Sequence, residues 1–164
     1  MHADEFVDAT VFLGMNSTDE NVRRACASFF AERMDGRIAM SLDQVGRCDD
    51  IVWGYPRDTQ DRYYPFMDNL HTELRFDRLP YGDQDISAAS RDQTTGLDAA
   101  DRLMLAMVVN RHGILYTLDS RLLSVPDAPV RPPCAPESGR IRFPARLESL
   151  YQASLALLVD PARL

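Results

Sequence analysis

The chain has 164 residues and a formal net charge of −7, and 45% of its residues are hydrophobic. That length suits one domain, and that apolar fraction supports a buried core, which excludes global disorder. The acidic balance excludes a free-standing, sequence-independent nucleic-acid binder; a nucleic-acid substrate would need local, metal-assisted or partner-assisted binding.

All 18 basic residues are Arg. That bias fits a GC-rich coding genome better than a phosphate-binding cause. Cys26, Cys48 and Cys134 are widely spaced and form no CxxC, which argues against a disulfide framework and a zinc site. Free thiols in a reducing cytosol fit, so a cytoplasmic protein is expected. His2, His71 and His112 show no metal-ligand spacing. The opening MHADEFVDATVFLG lacks a basic region and does not read as a signal peptide. The apolar stretches are too short to span a bilayer.

Along the chain, Glu5 to Leu13 reads as a short buried strand that stops near Asp8. Asn16-Ser17-Thr18-Asp19 is a cap cluster, and a helix follows from Glu20 to Met34, ended by Asp35-Gly36. Arg37 to Ser41 is a second strand, and Leu42 to Trp53 a helix. Residues 54–96 are punctuated by Pro and Gly and rich in aromatics. They read as an irregular helical insertion, with helix around Asp68 to Arg75, a polar run from Asp83 to Thr95 and a short helix near Ile86 to Ser90. Asp98 to Arg111 is a helix closed by His112-Gly113. Ile114 to Leu118 is a buried strand, and Asp119-Ser120-Arg121 starts the next turn. The stretch Pro126 to Pro136 should be extended or a loop. Ile141 to Phe143 is a candidate edge strand, and Pro144 to Val159 a final amphipathic helix.

Strands alternating with helices imply an α/β fold with a central parallel sheet in a three-layer α/β/α arrangement. Its ligand crevice lies at the carboxyl ends of the strands. Asp8 and Asp119 fall near two strand ends, and Asp98 and Asp101 at a helix start. Clustered carboxylates repel one another, and a hard divalent cation such as Mg²⁺ or Mn²⁺ relieves that repulsion. Each acid also has a local reading: Asp98 and Asp101 as caps favoured by the helix dipole, Asp119 as a turn residue, Asp8 as a structural group.

These residues resemble the PIN-domain nucleases. The resemblance rests on Phe6-Val7-Asp8-Ala9-Thr10-Val11-Phe12-Leu13 at one end of the chain. At the other it rests on Asp98-Ala99-Ala100-Asp101-Arg102-Leu103-Met104-Leu105-Ala106, then His112-Gly113-Ile114-Leu115-Tyr116-Thr117-Leu118-Asp119. It covers residues 5–50 and 97–123, and implies a single PIN-like domain over 1–164. In one respect the chain departs from the pattern: the family Glu on the second or third helix has no obvious equivalent, and Asp43, Asp49 and Asp50 are the candidates to replace it.

The resemblance implies a Mg²⁺- or Mn²⁺-dependent ribonuclease, of the kind that serves as the toxin of a toxin–antitoxin pair. Asp8, Asp101 and Asp119 are then the catalytic metal ligands, completed by Asp98 and by Asp49 or Asp50. Thr117 stands beside the last acid, and Arg102 and Arg121 could meet substrate phosphates. RNA is the implied substrate, and an antitoxin or other protein the implied partner. The aromatics of 53–81 could stack bases, pack the insertion or form a homodimer interface. The alternatives are a degenerate PIN-like binding or assembly protein without the chemistry, and an accessory protein of a biosynthetic pathway acting on another phosphate.

Overall fold

A computed structural model describes residues 3–92 and 96–164. His2 and Thr95, which figure in the sequence reading, lie outside the described residues.

The first strand, β1 (Glu5–Val7), does end at Asp8, but for a reason the apolar pattern conceals. Asp8 is the N-cap of α1 (Ala9–Gly14) and accepts from the backbone N–H groups of Thr10 and Val11. The run Val11-Phe12-Leu13, expected to belong to a strand, is therefore helical. Every residue of α1 is buried, so periodicity gave no contrast between faces. Helix α2 (Glu20–Ala31) is capped by Asp19 and stops short of the expected Met34. Strand β2 (Arg37–Ser41) and helix α3 (Leu42–Trp53) fall on their expected bounds.

The described residues of 54–96 do not form an irregular insertion. Helix α4 (Arg57–Glu73) buries Tyr63, Phe66 and Leu70 at helical spacing and runs through Pro65. It leads into β3 (Arg75–Leu79), which pairs in parallel with all of β2, from Arg37↔Arg75 to Ser41↔Leu79. The charged pattern Arg-Phe-Asp-Arg-Leu hid this strand because it lies at the sheet edge, where charged side chains meet water. Helix α5 (Asp83–Arg91) includes the short helix expected near Ile86 to Ser90 and is longer than it.

Helix α6 (Ala99–Asn110) begins at its N-cap Asp98. Strand β4 (Ile114–Tyr116) ends before Leu118, and Asp119 caps α7 (Ser120–Leu123). Within the proline-rich stretch, β5 (Val130–Arg131) pairs with Leu115 and Tyr116 of β4. Ile141 to Phe143 is not a strand; the Ile141 N–H donates to Ser28 Oγ and that of Phe143 to Glu148 Oε2, each at 3.0 Å. Helix α8 (Ala145–Ser154) is shorter than the expected 144–159, and Val159 instead bridges Ser17.

The five strands form one parallel sheet in the order β3-β2-β1-β4-β5. Side chains alternate across it. Val7, Ile38 and Met40 join a core with α1, α2, α3, α4 and α8 on one face. Phe6, Ala39 and Leu115 join a second core with α6 and Leu122 on the other. Helices on both faces make the three-layer α/β/α fold, and β1 and β4 are adjacent at its centre, so their carboxyl ends open at one place.

Candidate functional site

Asp8 leaves β1 almost fully buried. Its Oδ1 accepts from the Thr10 hydroxyl at 2.6 Å, the Thr10 N–H at 3.0 Å and the Val11 N–H at 3.3 Å. Its Oδ2 accepts from the Thr117 hydroxyl. Both hydroxyls pass the connection on: the Leu118 N–H donates to Thr10 Oγ1 at 2.8 Å, and the Asp119 N–H to Thr117 Oγ1 at 3.0 Å. One carboxylate thus fixes the backbone that leads from β4 into Asp119. Burial pushes the Asp8 carboxyl up, against the pull of its four hydrogen-bond donors.

Asp98 and Asp101 share the first turn of α6. Asp98 accepts from the Asp101 N–H at 2.9 Å and is exposed, a helix cap at the rim of the site. Asp101 is 4% exposed, and its Oδ2 is buried with no aligned hydrogen-bond donor. Arg121 Nη2 lies 3.2 Å from it, close enough for ion pairing but off the hydrogen-bond direction. Burial first, then repulsion from Asp98 and Asp119, raises the Asp101 carboxyl to about 6, with Arg121 opposing.

The same Arg121 Nη2 lies 2.8 Å from Asp119 Oδ2. This hydrogen bond leads the causes that hold Asp119 below its ordinary value. One guanidinium nitrogen of a largely exposed side chain therefore sits between two carboxylates on different elements. Arg102 lies elsewhere: it lines a cavity under α5 and α6, and its Nε is buried without a partner.

None of the three Asp candidates on α3 joins this cluster. Asp43 accepts from the Tyr81 hydroxyl at 2.8 Å, Asp49 is 3.4 Å from the Tyr64 hydroxyl, and Asp50 is exposed. The α3 residue that does reach the exit of β1 is Gln44, nearly fully buried, whose Oε1 accepts from the Ala9 N–H at 2.9 Å. Sequence reasoning passed over it. Ser41-Leu42-Asp43-Gln44 has the form of a capping box, but Ser41 makes no side-chain cap bond. Gln44 instead spans to a neighbouring helix. Thr10 was also missed; its signal is its place two residues after a capping Asp.

The acids thus meet in two linked parts, a hydroxyl-locked Asp8 and a paired Asp101 and Asp119. Among the described residues, no group of three or more His, Cys, Asp or Glu stands ready to hold a metal ion. The Asp101–Asp119 pair alone already shares a cationic nitrogen, and one of its buried oxygens awaits an aligned partner. Two carboxylates suit Mg²⁺, which keeps waters and substrate oxygens as its other ligands.

The chain belongs to the family of unknown function DUF6190, whose model matches residues 1–164. No curated protein matches it. Among solved structures, it is similar to a toxin–antitoxin complex from Klebsiella pneumoniae, with 16% identity and a TM-score of 0.56 over 81% of this chain and 100% of that chain. At that identity the likeness speaks for the fold alone. No described helix is long and apolar enough to cross a membrane.

Proposed function

We propose that the chain is a Mg²⁺- or Mn²⁺-dependent ribonuclease of the PIN-like type, serving as the toxin of a toxin–antitoxin pair. The observation that carries this reading is the Asp101–Asp119 pair, two carboxylates held on one cation at the carboxyl edge of a parallel sheet. The Klebsiella toxin–antitoxin complex shares that fold, which supports a protein partner of the antitoxin kind.

Asp101 and Asp119 would hold the ion, with exposed Asp98 reaching it through water. The chemistry such an ion supplies is Lewis-acid neutralisation of charge on phosphodiester oxygens, together with activation of water. Asp8 acts one step back, fixing the backbone of Leu118 and Asp119 through Thr10 and Thr117. Arg121, once released from the acids, has an exposed guanidinium fork that fits a phosphate. The test is cleavage of single-stranded RNA with Mg²⁺ or Mn²⁺, beside an EDTA control and Asp101→Asn. RNA left intact with either ion would sink the catalytic reading. Growth arrest on expression, relieved by the product of an adjacent gene, tests the toxin role.

Two observations favour a second reading, a PIN-like binding or assembly protein without the chemistry. Gln44 puts a neutral amide where α3 meets the exit of β1, and Arg121 already neutralises the acids. A protein that binds RNA or a partner but cleaves nothing would match it.

A further inference from the structure

Helices α3 and α4 cover the same face of the sheet but stand apart, leaving a cleft of about 570 Å³. Phe12 and Met40 floor it, and Val45 and Met67 wall it. The volume is that of a small-molecule site. It adjoins the acids through α1, which Asp8 caps and whose Phe12 lies one turn on.

Two polar groups line the cleft beside this apolar middle. In the first, His71 stacks on Phe76 with ring centroids 4.6 Å apart and planes 13° from parallel. Its Nδ1 lies 2.6 Å from Arg78 Nη2. A guanidinium has only donors, so Nδ1 must be the acceptor, and the neutral ring carries its proton on Nε2. Burial, then the Arg78 charge, lowers the His71 pKa to about 4 and keeps the ring neutral. Nε2–H is thus a fixed donor, buried without a partner, and a ligand in the cleft meets it where the side chains that cover it give way. In the second, the Asp49 carboxylate stands beside the Tyr64 hydroxyl at 3.4 Å.

The geometry points to a binding site for an amino-bearing nucleobase: adenine, guanine or cytosine. A flat heterocycle fills the slot between Phe12, Met40 and Met67. A ring acceptor meets His71 Nε2–H, and an exocyclic amine donates to Asp49. Uracil fits worse, because its single N–H is flanked by two carbonyl oxygens that would face the carboxylate. Arg78 commits one of its donors to His71 and keeps others for a phosphate. The ligand class rests on the proposed action on RNA, and a free nucleotide and a base within a strand share this chemistry.

The experiment is calorimetric titration of the metal-free protein in EDTA with AMP, GMP, CMP and UMP, then with trinucleotides of A and U. The expected result is at least tenfold tighter binding of the amino-bearing nucleotides than of UMP. Asp49→Leu and His71→Phe should each cost tenfold or more at an unchanged melting temperature. In the wild-type protein, the ¹⁵N shift of His71 Nε2 should move on addition of AMP or CMP but not UMP, which tests the site without any variant. A stronger hold on the A trinucleotide than on AMP assigns the cleft to a strand, and equal affinity to a free nucleotide. No binding, or equal binding of all four with an unmoved His71 signal, overturns the inference. Nucleotide binding without RNA cleavage leaves it standing and removes the catalytic reading; cleavage with an inert cleft does the reverse.

Discussion

Gln44 Oε1 accepts from the backbone N–H of Ala9 at 2.9 Å, one residue beyond the carboxylate that ends β1. Gln44→Glu keeps the shape and the accepted bond but adds a buried charge near Asp8. Without metal the variant should lose about 2 kcal/mol or more at pH 8, and less at pH 5 where the new carboxyl can protonate. With Mn²⁺ its melting temperature should rise further than that of the wild type. Equal metal shifts in the two proteins would show that α3 does not face the cation site.

Asp101 makes stability depend on pH in a defined direction. Its carboxyl is raised from 3.8 to about 6, so the folded state binds that proton more tightly than the unfolded chain. The resulting contribution is full below about 3.8 and lost as the pH climbs to about 6. Asp101→Asn removes the repulsive charge. It should match the wild type near pH 4 and exceed it by ~1–2 kcal/mol at pH 8, after allowance for solvent screening. Denaturant unfolding across pH 4 to 8 checks this, and a constant difference would contradict it.

Arg121 holds the place of a cation between Asp101 and Asp119. Arg121→Ala should therefore lower the metal-free melting temperature, because the acids lose their counter-charge. It should also enlarge the stabilisation by Mn²⁺, since the ion no longer competes with a tethered guanidinium. Thermal melts from zero to 10 mM Mn²⁺ read both effects. A smaller metal shift in the variant would mean that Arg121 helps rather than hinders the ion.

Thr117 is fully buried, and its hydroxyl joins Asp8 to the Asp119 backbone. Thr117→Val keeps the volume and removes that link, at a cost of ~1–3 kcal/mol. Asp8 would then lose a donor that favours its charged form, so the loss should deepen as the pH rises. Urea unfolding at pH 5 and pH 8 gives the comparison; equal losses at both would exclude a role through Asp8.

The positions of the acid-bearing junctions were legible because their signals are local: Asp98 caps α6 as its sequence context suggests, and β2 and α3 carry clear apolar patterns. The cap at Asp8 was not, because α1 is buried all round and reads as strand. Strand β3 was not legible, because its pairing with β2 is a long-range fact and its edge position permits charges where a central strand would have Val or Ile. Gln44 was invisible for a related reason: its contact with Ala9 spans 35 positions, and a helical Gln has many innocent uses. Arg121 was legible as a neighbour of the acids but not as their shared partner, since only the fold brings Asp101 beside Asp119.

Both margins of the sheet are built to discourage further strands. On one side β3 presents Arg75, Asp77 and Arg78, followed at once by Pro80. On the other, β5 is two residues long, with Pro129 before it and Pro132-Pro133 after it. Proline withholds the N–H that a docking strand would need, and charge discourages stacking of one molecule's border on another's. Fibril-like growth along the hydrogen-bonding direction is thereby disfavoured at either border, which leaves the helices and loops as the surfaces better suited to another protein.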